Sequence, residues 1–339
     1  MLLALLTVGS LAAAGQQKRP NIVFFLTDDQ DQVLGGSFPH AAPNGATPLP
    51  KASALLAAEG ATSDAFYIHT PICCPSRAET FTGRYLQNVQ LPFVPKQEAQ
   101  CTAAYGGFTS DGDVCCMHVD EELVNNQTFA VSLAEHGYSV GFFGKTLNNC
   151  PLQPFAGVDA WLANGGGNYF NPQFAIKNID GVPDGMQHFD ANTSATLGLL
   201  GSSYSTSVIG NYSLAWITKV AQIAKAGGRP FMAYIGTKAP HDPFDPAPWY
   251  TDYWNEAWPA TAPRPPSWNM TAAQLSKHHP TVASQSPLTD AVARCIDSTF
   301  KDRWRSLMSV DDLIGAAVTE LDSMGLSDST YFLYSSDHG

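Results

Sequence analysis

Four short runs along the chain are apolar and rich in β-branched or aromatic residues: 21–26, 138–143, 231–235 and 330–334. Unbroken hydrophobicity over so few residues predicts strands buried on both faces. Between the runs the period lengthens. Residues 49–58 predict a helix that stops near Gly60. From Trp304 to Met324, Leu307, Val310, Ile314, Ala317 and Leu321 recur at steps of three and four, with Gly325 as a stop. That is one apolar helix face. Strands alternating with helices predict an α/β domain, its central sheet mostly parallel and covered by helices on both faces. Residues 242–288 are rich in Pro, Trp and polar side chains and predict a long insertion rather than a separate domain. Residues 151–190 are rich in Gly, Asn and Pro and are expected to run over the surface. No internal repeat is present.

A chain of 339 residues accommodates one large domain or two modest ones. Its formal net charge of −12 argues against a nucleic-acid partner, whose phosphates reward a basic face. Residues 1–15 open with MLLALLTVGSLAAA, an apolar stretch ending in small residues. This predicts a secretory signal peptide, and the stretch is shorter than the ~20 apolar residues a membrane span needs. No later run is long enough for a stable membrane span. The seven cysteines are Cys73, Cys74, Cys101, Cys115, Cys116, Cys150 and Cys295. They suit an oxidising compartment, and the odd count leaves one for another task. With Cys73 set aside, six remain for up to three disulfides. Asn126, Asn192, Asn211 and Asn269 stand in Asn-x-Ser/Thr glycosylation sequons, which agree with secretion.

Polar residues with chemical potential sit just past each predicted strand. Asp28 and Asp29 follow the first, Lys145 the second, His241 the third, and Asp337 and His338 the fourth. In open α/β sheets ligands bind outside the carboxyl ends of the strands, so these residues are expected to share one edge. The carboxylates suit Ca²⁺ or Mg²⁺, and a histidine with a near-neutral pKa suits a general acid.

Cys73-Cys74-Pro75-Ser76-Arg77, followed by Thr82-Gly83-Arg84, resembles the signature of the sulfatase family. A phosphatase loop of the Cys-x5-Arg kind is excluded, because Glu79 and Thr80 stand six positions past the two cysteines. Pro75 suits a first helical turn, and a helix starting there would aim free N–H groups at an anion. The resemblance implies an alkaline-phosphatase-like fold. It also implies that a formylglycine-generating enzyme oxidises Cys73 to formylglycine, with Cys74 in the variable slot. One calcium ion would be held by Asp28, Asp29, position 73, Asp337 and His338. Arg77 would hold the formylglycine oxygens or the developing anion. Lys145 lies in Gly144-Lys145, similar to the family segment whose lysine contacts sulfate. His241 lies in Ala239-Pro240-His241, similar to the segment whose histidine protonates the leaving alcohol. His69, His278 and His279 match no motif and are read as packing or surface residues.

Residues 27–36, 73–77, 144–148 and 303–313 resemble the N-acetylglucosamine-6-sulfatase branch. This implies a sulfuric ester hydrolase removing 6-O-sulfate from glucosamine units of heparan- or keratan-sulfate-like glycans, lysosomal or extracellular. There are departures. Leu147 stands where many sulfatases have a histidine, and Asp337-His338-Gly339 replaces Asp-Asn-Gly. Relatives continue past the position of Gly339 with a further lysine, more strands and a C-terminal subdomain. Residues 20–339 therefore read as a truncated N-terminal catalytic domain whose last strand lacks its usual neighbours. The alternatives are an arylsulfatase of broader specificity, a two-zinc phosphatase or phosphodiesterase of the same superfamily, and a non-catalytic sulfoglycan-binding protein.

Overall fold

A computed structural model describes residues 19–32, 38, 40–42, 44–89, 119–148, 153–190, 199, 201–255 and 261–339. The signal-peptide segment, Asn192, Cys101, Cys115, Cys116 and Cys150 lie outside the described residues. Seven strands form one sheet: β1 (Asn21–Thr27), β2 (Ser139–Lys145), β3 (Ala160–Asn164), β4 (Gln173–Lys177), β5 (Gly185–His188), β6 (Phe231–Gly236) and β7 (Thr330–Ser336). Their order is β5-β4-β3-β2-β6-β1-β7. From β3 to β7 all pairs are parallel, and β4 and β5 extend the sheet antiparallel. The four strands predicted from apolar runs are β1, β2, β6 and β7.

The strand period of two explains why the runs are unbroken. Val23, Phe25, Phe143, Phe231, Ala233 and Ile235 enter one core, while Leu26, Val140, Phe142, Met232 and Tyr234 enter the core on the opposite face. Helices cover both. On the second face lie α1 (Cys73–Thr82) and α2 (Phe129–Glu135); on the first lie α3 (Ser205–Lys225) and α4 (Asp290–Ser323). In α3, Val208, Ile209, Ile217, Val220 and Ala221 make the buried stripe, and in α4 it is the predicted set from Leu307 to Leu321. The α4 helix begins well before Trp304, at the Thr289 N-cap; its first turns are largely exposed, and Ile296, Phe300 and Trp304 at steps of four pack in a separate small cluster. The predicted helix over 49–58 forms at 50–57, its second half wound as a π-helix.

Residues 151–190 correct one expectation. They contain β3 and β4, and Trp161, Leu162, Phe174 and Ile176 are buried in the two cores. Strands of five residues set between glycine-rich turns give too short a pattern to separate from loop. The described residues of 242–288 do form a largely exposed excursion, with only short helical turns among them. The edge strand β7 packs Phe332 and Tyr334 against the first core, while Tyr331 and Leu333, on its other face, are 63% and 48% exposed. Among the described residues no helix is long and apolar enough to cross a membrane.

Candidate active site

The carboxyl ends of β1, β2, β6 and β7 and the N-terminus of α1 converge on Cys73. This half-buried thiol is the first residue of α1 and is free, whereas Cys74 beside it is buried and disulfide-bonded. Pro75 falls in the first turn, where a missing N–H costs no helical bond. Gly83 ends α1 in the left-handed region at φ 66°, which explains the glycine of Thr82-Gly83-Arg84. Cys295 is also free and is exposed, so the single chain can close at most two disulfides rather than three.

The Cys73 Sγ lies 3.6 Å from Asp28 Oδ1, 3.9 Å from Asp29 Oδ1 and 3.3 Å from His338 Nε2. Ligand atoms of Asp28, Asp29, Cys73 and His241 lie within 4.8 Å of one another, and so do those of Cys73, Asp337 and His338. All the sequence-predicted metal and catalytic residues are therefore gathered at one place. Asp29 takes a left-handed backbone at φ 61° as the chain leaves β1, turning its carboxylate out toward the thiol.

Two cations lie beneath this cluster. Arg77 is fully buried and all its polar nitrogens are engaged. Its Nε donates to Asp337 Oδ2 at 2.9 Å, Nη1 to the Lys145 carbonyl and Tyr234 Oη at 2.9 Å each, and Nη2 to Asp28 Oδ1 at 3.3 Å and the Thr27 carbonyl at 3.5 Å. Lys145 Nζ donates to both oxygens of Asp28 at 2.8 and 2.6 Å. Burial alone would raise the Asp28 carboxyl, but Lys145 and Arg77 outweigh it and hold Asp28 far below the usual carboxylate range. Burial pushes Asp337 up to about 6, with Arg77 opposing and Asp28 adding to the rise. Arg77 thus holds two aspartates in place from below instead of facing the open side. Gly144 makes this approach possible. At φ 99°, a Cβ there would lie 1.8 Å from the Gly236 carbonyl oxygen.

His241 stands on the loop after β6, which carries cis peptides at Ala239-Pro240 and Asp242-Pro243. Its Nδ1 lies 2.7 Å from Asp242 Oδ1 and its Nε2 3.7 Å from Asp29 Oδ2. Burial would lower its pKa, but its hydrogen bond with Cys73 and the charge of Asp28 raise it to about 9. His338 Nε2 is 3.2 Å from Asp29 Oδ1, while its buried Nδ1 has no hydrogen-bond partner among the described residues.

The donor set fits a hard divalent cation. Asp28 and Asp29 lie in one cluster with Cys73, and Asp337 in a second that shares it, and among the described residues Asp29 has only histidines as ion-pair partners. His338 is the odd donor, since calcium favours oxygen.

Three further residues belong to the site without having been singled out as such in the sequence. Tyr234 joins Arg77 to the Lys145 carbonyl. Arg303 of α4 donates to the Asp29 carbonyl at 2.6 Å and pairs with Asp31 at 3.1 Å. Lys238, two residues past β6, is buried with its pKa lowered by desolvation, against the pull of Asp28. Lysine and arginine are common on loops and helix surfaces, and nothing local separates Lys238 and Arg303 from solvated ones. The sequons fall variously: Asn126 and Asn269 are exposed, and Asn211 is half-buried within α3. His278 and His279 are exposed, and His69 pairs with Glu79 at 2.9 Å.

Residues 20–339 match the family model described as Sulfatase. The chain is 30% identical to human N-acetylglucosamine-6-sulfatase over 98% of its own length and 53% of that protein's. It is 28% identical to an arylsulfatase of Volvox carteri, over 99% of this chain and 49% of that one. The chain thus spans about half the length of these relatives. Among solved structures, a phosphonate monoester hydrolase of Agrobacterium radiobacter superposes with a TM-score of 0.56 at 15% identity, covering 95% of this chain and 63% of that one. A Bacteroides thetaiotaomicron protein from a study of glycosaminoglycan metabolism gives a TM-score of 0.59 at 14% identity, covering 95% and 61%. At such identities the likeness establishes the shared alkaline-phosphatase-like fold alone.

Proposed function

The chain belongs to the sulfatase family, and from that premise we propose that it hydrolyses sulfate esters at Cys73, after conversion of that residue to formylglycine. The observation that carries this is the free Cys73 thiol at the start of α1, ringed by Asp28, Asp29, His241 and His338. In that reading the Sγ atom stands where the oxygens of a hydrated aldehyde would lie. Formylglycine supplies a geminal diol, one oxygen to take the sulfuryl group and the other to expel it as the aldehyde re-forms.

The residues of the chain divide the remaining work. Asp28, Asp29, Asp337 and His338 would hold one Ca²⁺, which polarises sulfate oxygens when bound. Arg77 and Lys145 fix the geometry of Asp28 and Asp337. His241, on the loop after β6 beside Asp29 and Cys73, is suited to give a proton to the departing alcohol oxygen. The N-terminal end of α1, with its helix dipole, faces the position an anion would take beside residue 73.

The 30% likeness to N-acetylglucosamine-6-sulfatase supports a 6-O-sulfated glucosamine of a heparan- or keratan-sulfate-like glycan as substrate. Exposed sequons at Asn126 and Asn269 and the Cys74 disulfide support passage through the secretory pathway, where a formylglycine-generating enzyme would act, to the lysosome or the cell exterior. The test is a mass spectrum of the Cys73 peptide with sulfate-release assays on 6-sulfated glucosamine and on an aryl sulfate. A lighter, hydrazide-reactive Cys73 peptide and release from the sugar are expected. An intact thiol in fully active protein would refute the reading.

A further inference from the structure

Lys238 is a largely buried cation that has no anion at ion-pair distance among the described residues. Its side chain leaves the loop just past β6, and the residue is only 8% exposed. Among the described residues its ammonium has no hydrogen-bond or ion-pair partner. Its ammonium lies over the face of the Tyr169 ring, whose centroid is 5.3 Å away, while Asp28, Asp242, Asp29 and Asp245 act on it only from beyond ion-pair distance. The other two buried cations here are spoken for, since Lys145 grips both oxygens of Asp28 and the Arg77 fork is filled.

The surroundings place Lys238 at the reactive edge. Its carbonyl accepts from the His241 N–H at 2.9 Å, Tyr169 Oη donates to the His241 carbonyl at 2.8 Å, and Asp28 N–H donates to the Ala239 carbonyl at 3.2 Å. Lys238 therefore sits in the same loop turn as the catalytic histidine, on a support shared with Asp28. Burying an ammonium costs free energy unless it is paired and hydrogen-bonded. A ring face meets only part of that need. Three N–H donors held free beside an anion-processing site match an oxyanion that arrives with the ligand.

We propose that Lys238 binds an oxyanion of the substrate, supplied by the reacting sulfate or by a second anionic substituent of the same sugar unit. The assignment rests on the sulfate-ester reading above. It makes Lys238 a specificity-determining residue additional to Lys145 and His241.

The test compares the wild-type chain with Lys238→Met and Lys238→Arg. Binding of inorganic sulfate is followed by titration calorimetry in calcium. kcat/KM is measured on a monoanionic aryl sulfate and on glucosamine carrying both 6-O- and N-sulfate. Loss of a charge-assisted hydrogen bond predicts a 10–100-fold fall for Lys238→Met, with partial recovery in Lys238→Arg. If the reacting sulfate is the partner, sulfate affinity and both substrates fall together. If a second substituent is the partner, only the disulfated sugar suffers. Lys238→Met is expected to melt no lower than wild type, because burial of the ammonium outweighs the longer-range pull of Asp28 and the neighbouring carboxylates. Sulfate affinity and both substrates unchanged within twofold, with or without a lower melting temperature, would overturn the assignment and leave Lys238 a packing residue. Turnover by the wild type separates the two ideas. Lys238-dependent sulfate binding without turnover would sink the hydrolase reading alone, whereas turnover insensitive to Lys238 would sink this one alone.

Discussion

Arg77 is the residue whose removal tests the architecture of the site most directly. Replacing it with Met keeps much of the volume but deletes a guanidinium that joins Asp337, Asp28, Tyr234 and two backbone carbonyls, all in the interior. Breaking one side of a buried ion pair costs about 3–5 kcal/mol, because the partner charge is left uncompensated. Here two carboxylates lose their partner, although Lys145 still holds Asp28. Taking about 4 kcal/mol, and roughly 2–4 °C per kcal/mol for a domain larger than about 150 residues, the melting temperature of the calcium-free chain should drop by about 10 °C at pH 7.5. The pH dependence has a definite sign. Asp337 has a folded-state pKa already raised to about 6, and Arg77 acts to lower it. Without Arg77 the pKa rises further, so protonation at pH 5 neutralises Asp337 and the deficit should shrink. Added calcium should also narrow it at pH 7.5 by compensating the same carboxylates. Differential scanning calorimetry at the two pH values, with chelator and with calcium, reads all of this. A melting temperature within 2 °C of wild type at pH 7.5 without calcium would refute the buried-bridge argument.

Three other outcomes follow from the same geometry. His241→Asn should lower kcat by about 10²–10⁴-fold on a sugar sulfate and far less on an aryl sulfate with a good leaving group, as general acid loss requires. Asp29→Asn should weaken calcium binding by roughly tenfold or more in titration calorimetry, since ligand charge sets affinity, while the melting temperature of the calcium-free chain changes little because Asp29 is only half-buried. Gly144→Ala should destabilise by about 1–3 kcal/mol or more in urea, as its Cβ would meet the Gly236 carbonyl oxygen at 1.8 Å; a loss below 0.5 kcal/mol would contradict the close approach of β2 and β6.

The local sequence determined which segments become the parallel strands and where their chemistry falls. Strands buried on both faces must be apolar throughout, so β1, β2, β6 and β7 stand out, and the residues just beyond them are bound to meet at one edge. Asp28, Asp29, Lys145, His241, Asp337 and His338 were legible for that reason. Tertiary structure decided what each polar group faces. Arg77 reads from its position as an anion binder, yet its partner Asp337 lies 260 residues away and turns the guanidinium into the floor of the site. Lys238 reads as an ordinary loop lysine until Tyr169, from a glycine-rich stretch expected at the surface, is seen buried beneath it. That stretch hid β3 and β4 as well, whose burial depends on β3 pairing with β2 and β4 with β3, and not on any pattern of their own. Periodicity records how a segment meets its neighbours along the chain, whereas desolvation and charge pairing depend on neighbours brought in from afar. Those interactions set whether a cation serves the substrate or the scaffold.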